Sequence, residues 1–156
     1  MLRGQEIVKN RKEIIDNLNK AAAAELLAAF RYRYLSVYAT GMHGREVAER
    51  FTKMANHEWE HVGTFLARIV QLGGIPFQRL SEAEKLAFGR YLLPPKDPAN
   101  WKQMLKDSIQ SERDAVDFYS KLLEKLRETD AVTHHIVREA LEDEIEDEHE
   151  LASLLD

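Results

Sequence analysis

No cysteine occurs in the 156 residues. That excludes disulfides, iron–sulfur clusters and thiolate metal sites, and it fits a reducing cytoplasm. Proline is scarce, and three of the four prolines crowd together at Pro94, Pro95 and Pro98, where they forbid a regular helix. No apolar run approaches membrane-spanning length, and no charged-then-apolar leader opens the chain. Positive charge is not in excess. The net charge of -5 argues against general affinity for nucleic acid, and the mildly basic start at Arg3, Lys9, Arg11 and Lys12 reads as a solvated helix end. What remains is 44% hydrophobic, which suits one domain spanning residues 1–156 with a real core.

Within this unremarkable composition one pattern recurs. Glu58-Trp59-Glu60-His61 is echoed by Glu146-Asp147-Glu148-His149, and each places a Glu and a His three residues apart on one helix face. A lone Glu precedes each motif, Glu25 and Glu112, and each lone Glu is followed seven residues later by a tyrosine, Tyr32 and Tyr119. One Glu from each of two helices and a Glu-x-x-His from each of two others make the ligand set of a dinuclear metal site in a four-helix bundle.

The periodicity agrees. Leu18, Ala22, Glu25, Ala29 and Tyr32 alternate by four and three, which predicts a first long helix from about Ile14 to Thr40 with Glu25 in its inner stripe. A second apolar row, with Phe30, Tyr34 and Val37, predicts burial on a second side. The next helix, about Arg45 to Leu72, has Val47, Phe51, Met54, Glu58, His61 and Phe65 inside and a second row through Trp59, Val62, Leu66 and Ile69. Gly73-Gly74 and Pro76 stop it. A long connection follows, with a short helix expected from the capping box at Ser81 to about Tyr91. The third long helix is expected to start with Asp97 as N-cap and Pro98 behind it, and to bring Leu105, Ser108, Glu112, Ala115 and Tyr119 inward. The last runs from about Asp130 to the end, with Val137, Leu141, Ile145, Ala152 and Leu155 packing beside a polar row of His135, Glu139, Glu142, Glu146 and His149. No fifth helix is expected.

Four carboxylates in apolar stripes are hard to bury without cations, since each unpaired one costs several kcal/mol. Two divalent ions would neutralise them. Carboxylate oxygen with imidazole nitrogen suits iron, or manganese, better than zinc or softer-ligand metals. Glu58 and Glu146 are placed to bridge the ions, Glu25 and Glu112 to be terminal ligands, and His61 and His149 to bind one ion each. Tyr32 and Tyr119 lie two turns along, in reach of the opposite carboxylates, or serve as plain core aromatics. Glu142, with His135 and Glu139, is either an accessory or iron-access row or a solvated acidic stripe.

With these residues the chain resembles the ferritin-like superfamily, in particular bacterioferritins and Dps-like proteins carrying a bacterioferritin-type site. The resemblance rests on Glu25, Glu58, His61, Glu112, Glu146 and His149, with Tyr32 and the Leu72-Gly73-Gly74-x-Pro76 stop. It implies an all-α, antiparallel four-helix bundle with a long crossover between the second and third long helices. It implies a ferroxidase that oxidises Fe(II) with O2 or H2O2 at two iron ions within one subunit, for iron storage, detoxification and protection from oxidative stress in an oligomeric shell. Three departures qualify it. Trp59 stands where bacterioferritins carry a haem-binding Met, so haem is not expected. The expected lack of a fifth helix favours 12 subunits over 24, with dimers formed through the first two long helices. The cysteine pair found in many archaeal Dps-like proteins is missing. The competing readings are a discrete di-iron or di-manganese peroxidase, catalase or oxygenase, and a DNA-protecting Dps-type shell; the net charge opposes DNA binding.

Overall fold

A computed structural model describes residues 1–156 and contains helices and no strand. A four-residue helix α1 (Arg3–Glu6) precedes four long ones: α2 (Arg11–Tyr38), α3 (Gly44–Gln71), α5 (Trp101–Leu126) and α6 (Ala131–Leu155). The crossover between α3 and α5 carries only a 3-10 turn (Leu80–Glu82) and the one-turn α4 (Ala83–Leu86). The short helix therefore stops five residues before the expected Tyr91.

The long helices pair as two hairpins, α2 along α3 and α5 along α6. The crossover returns along the bundle. It leaves α3 at Gly73, which takes a φ of +78°, and at Gly74, where a Cβ would lie 2.7 Å from the Ile15 side chain on α2. Any larger residue at Gly74 would force either the Ile15 side chain or the strap to shift. At the far end Thr40 N–H donates to Pro98 O (2.9 Å), and the His43 and Trp101 rings lie 4.8 Å apart. The strap thus starts α5 at the end where α3 starts, and α5 runs parallel to α3.

Helix α5 begins three residues later than the expected Asp97–Pro98 start. Asn100 is the N-cap and accepts from Gln103 N–H, while Asp97 closes a turn by accepting from Ala99 N–H. Helix α6 starts where expected, and Asp130 caps it, accepting from the N–H of Val132 and Thr133. The Arg68 guanidinium of α3 also holds Asp130, with Nη2 at 2.9 and 3.0 Å from its oxygens, and Arg68 Nε donates to Thr133 Oγ1 (2.9 Å). This buried pair fixes the start of α6 against α3.

Two apolar clusters fill the bundle. One contains Leu18, Ala22, Phe65, Ile69, Leu122, Leu126 and Val137; the other contains Leu35, Val47, Phe51, Met54, Met104, Leu105 and Leu151. Tyr119 belongs to the first and Tyr32 to the second. Between them lie buried acids.

The face of α6 differs from the sequence expectation. Its buried residues are Thr133, Val137, Ala140, Glu144, Asp147 and Leu151, spaced by four and three. Ile145, expected inside, is half exposed. The helix turns inward the row that gives six buried positions in register, and the Glu146 row faces outward.

Candidate metal centre

Each long helix sends acidic side chains into the gap between the apolar clusters. Glu25 comes from α2, Glu58 and His61 from α3, Glu112 from α5, and Glu144 and Asp147 from α6. The five carboxylate residues are 1–3% exposed. Potential ligand atoms of Glu25, Glu58, His61 and Glu144 all lie within 4.8 Å of one another, as do those of Glu58, Glu112, Glu144 and Asp147. Glu58 and Glu144 are common to both groups and sit where bridging ligands would.

The structure thus brings together Glu25, Glu58, His61 and Glu112 of the expected six, and does not bring Glu146 and His149. Both lie on the exposed side of α6. Glu144 and Asp147 occupy the inner positions instead, again three residues apart, so the repeat is Glu-x-x-His in α3 and Glu-x-x-Asp in α6. Glu142 is exposed too and pairs with Arg138 at 3.8 Å; His135 and Glu139 pair with each other at the surface. The polar row of α6 is a solvated stripe. The signal for the correct register was present: Val137, Ala140, Glu144, Asp147 and Leu151 repeat the three-four alternation of the other inner rows.

The tyrosines cross between hairpins. Tyr32 Oη on α2 donates to Glu112 Oε1 on α5, and Tyr119 Oη on α5 donates to Glu25 Oε1 on α2. Each fixes one oxygen of a terminal acid and leaves the other free. Burial, then the facing glutamate's charge, pushes both phenols well above their ordinary range, so they remain proton donors.

His61 is oriented from outside. Its Nε2 lies 2.7 Å from Asp143 Oδ2, a partner the sequence reading did not single out, and its Nδ1 turns to the cluster. Nδ1 lies 3.4 Å from Glu144, 3.6 Å from Glu25 and 3.8 Å from Glu58 oxygens. A carboxylate behind an imidazole is the usual way to aim it at a metal. Burial pushes the imidazolium pKa down, but bonding and charge from Glu25 and then Asp143 outweigh it, raising it to about 9. Among the acids, burial and then the charges of Glu25 and Glu112 hold Glu144 well above the usual range. Burial, then Glu112, outweighs Arg50 and raises Asp147 to about 7.

These groups fit divalent cations. Glu58 Oε1, His61 Nδ1, Glu112 Oε2, Glu144 Oε1 and Asp147 Oδ2 are all buried without a hydrogen-bond partner. Unsatisfied polar atoms of this kind are rare in folded proteins, and five at one point call for a ligand. With Asp147 the acids carry five negative charges, and the Arg50 guanidinium paired to Asp147 removes one. Two divalent ions balance the remaining four.

Comparison with known proteins agrees with this fold. The profile of the ferritin-like domain matches residues 15–156. The chain belongs to the ferritin-like family. It is 29% identical over 144 residues to a DNA protection during starvation protein of Pyrococcus furiosus, covering 92% of this chain and 77% of that one. Its structure superposes with a TM-score of 0.89 on the bacterioferritin-related protein of Bacteroides fragilis, described as a dodecameric thioferritin, at 27% identity over 97% of this chain and 89% of that one. Dps from Thermosynechococcus elongatus shares the fold at a TM-score of 0.87 with 15% identity, covering 93% and 91% of the two chains. Within this ferritin-like chain no helix is long and apolar enough to cross a membrane.

Proposed function

We propose that the protein is a ferroxidase that takes two Fe(II) ions per chain as substrate and oxidises them with O2 or H2O2. The reading is carried by the convergence of five buried, partnerless ligand atoms from three of the four long helices, with a fourth helix supplying Glu25. Each Fe(II) gives up one electron and the oxidant takes the pair. The bound ions supply the redox chemistry; the chain supplies place and charge. Glu58 and Glu144 hold the two positions together, and Glu25 and Glu112 each close one side. The crossed tyrosines keep those two acids aimed inward, and Asp143 keeps His61 turned to the site. A cluster of carboxylates also favours Fe(III) over Fe(II), because the higher charge gains more from each anionic oxygen.

Storage requires a shell, and the surface supports one. Phe30 on α2 and Trp59 on α3 are both more than 60% exposed and border one groove with Leu26, Ala29 and Ala55. An apolar patch of this kind on the paired α2–α3 face is suited to a second copy of the chain. A dodecamer of 18.0-kDa chains, the state given for the Bacteroides fragilis relative, would have a solution mass of about 220 kDa. DNA protection is the second reading; it rests on the name of the Pyrococcus furiosus relative and is opposed by the charge of -5.

Stopped-flow oxidation of anaerobically loaded Fe(II) tests the main reading. Glu58→Ala is expected to abolish the fast phase in assembled protein, and an unchanged phase would overturn it. A monomer or dimer by light scattering would leave the same residues serving a discrete redox enzyme without storage.

A further inference from the structure

The buried polar atoms without a partner do not all belong to the centre. Arg50 Nε is one, but its guanidinium already meets the carboxylates of Asp147 and Glu150. The other is Arg31 Nη2 on α2. Arg31 is 3% exposed. Its Nε donates to Leu92 O on the strap (3.0 Å), and its Nη1 donates to Ser108 Oγ on α5 (2.9 Å). These bonds pin the strap across the bundle and fix the plane of the guanidinium. Nη2 is left over, and no carboxylate forms an ion pair with the group. The Tyr32 ring, 5.7 Å from Arg31 Cζ, softens the charge without occupying Nη2. A buried cation with no anion beside it is among the costliest groups a fold can carry.

Arg31 borders a cavity of about 50 Å³ between α2, α5 and the strap, lined also by Gly89, Arg90 and Ser111. A Cβ at Gly89 would meet nothing within 4 Å, so the strap here stands clear of the helices. At roughly 10–15 Å³ per water, the space holds about four waters or one ion of similar size. Glu25 and Glu112 belong to the inner wall, each with one oxygen taken by a tyrosine. The rim carries the exposed Arg90 and Asp114, and Asp114 is engaged by Gln110 Nε2 (3.0 Å).

We propose that this cavity binds a small inorganic oxyanion of the phosphate type, held by Arg31 Nη2 with Ser111 and Arg90 beside it. Neighbouring N–H groups of a guanidinium have the spacing of two oxyanion oxygens. Leu92 and Ser108 already hold the arginine in place, so little side-chain freedom is lost on binding. The acids of the inner wall oppose an anion, which places the ion on the strap side, between Arg31 and Arg90. A dianion gains from both cations there. The bound ion ties the strap to α2, and the site needs no metal in the centre.

Calorimetric titration of the assembled, metal-free protein with inorganic phosphate, at constant ionic strength in chloride, tests this. The wild type is expected to take up one ion per chain saturably. Arg31→Gln is expected to weaken uptake about tenfold or more, the scale of lost charge-assisted hydrogen bonds. Arg90→Gln, at the exposed rim, should weaken it only a few-fold. Ser111→Leu fills the cavity while leaving both Arg31 bonds in place; it should abolish uptake, and it decides the matter if Arg31→Gln releases the strap. Anomalous scattering from selenate-soaked crystals should place the ion beside Arg31 Nη2. Absence of saturable binding, binding that survives both Arg31→Gln and Ser111→Leu, or selenate seated only elsewhere would overturn the inference. The ferroxidase reading stands apart from all of these outcomes, because no metal is present in the assay; Fe(II) oxidation by Glu58→Ala remains its test.

Discussion

Stripped of metal, the protein should become less stable as the pH rises from 6 to 9.5, with a measurable share from His61. Its imidazolium is raised from 6.5 to about 9 by Glu25 and Asp143 despite its burial. A group held above its unfolded value favours the folded state when protonated. The contribution is therefore complete below pH 6.5 and is lost as the pH climbs through 9. A shift of that size corresponds to about 3 kcal/mol, and for a chain of this length to a fall in Tm of roughly 6–12 °C. Glu144, held well above the ordinary carboxylate range, acts in the same direction, and the contribution of Asp147 is lost as the pH passes about 7. Thermal melts of chelator-treated wild type and His61→Gln at pH 6 and 9.5 separate the histidine's share. The wild type should lose markedly more Tm across this range than the variant. Equal slopes, or a wild type that gains stability at high pH, would refute the electrostatic account of the centre. Loading with a divalent ion should flatten the dependence, because the ion takes the place of the protons.

The same logic makes metal uptake a proton-releasing event: at pH 7, filling the His61 position should liberate the imidazolium's proton, measurable by calorimetry in buffers of different ionisation enthalpy. The register of α6 has its own test. Glu146→Gln with His149→Gln should leave Co(II) stoichiometry unchanged, whereas Glu144→Gln should lower it; the reverse would restore the outward row as ligands. Tyr119→Phe strips Glu25 Oε1 of its donor and should cost about 1–3 kcal/mol in urea unfolding of the metal-free protein. Asp130→Ala removes the cap of α6 and strands the buried Arg68 guanidinium, so it should cost about 3–5 kcal/mol by the same measurement.

Much of this architecture could be read from residue order. The α2, α3 and α5 stripes are apolar enough that a Glu at 25, 58 or 112 stands out against them, whereas the place of the tyrosines two turns along left both a bond to the opposite carboxylate and plain core packing open. Helix α6 resisted because six Glu and two Asp lie between Glu139 and Glu150, so that almost any register places an acid inward. The choice of Glu146 and His149 followed the likeness to Glu58 and His61. Burial followed packing instead: Leu151, Ala140 and Val137 fit the core only if Glu144 and Asp147 go with them. Asp143 and Arg50 escaped notice for a different reason. Each acts across helices, and partners that far apart in the chain leave no local pattern. The start of α5 was misplaced because Asp97-Pro98 is an acceptable cap, and only the strap's hydrogen bond to Thr40 shows that those residues are spent on the turn.

The centre lies on the seam between the hairpins. The α2–α3 hairpin provides Glu25, Glu58 and His61; α5–α6 provides Glu112, Glu144 and Asp147. Backbones of the two hairpins approach each other far less closely than those within each hairpin. Filled positions would therefore act as rivets between two half-proteins, adding to the crossed tyrosines and to the Arg68–Asp130 and Arg50–Asp147 pairs that already join them. Mass action then links cohesion to supply: free ion at a hundred times its dissociation constant adds about 2.7 kcal/mol to the folded state for each such position. A chain made when such an ion is scarce would be the looser one, and its lifetime in the cell would follow the supply of that ion.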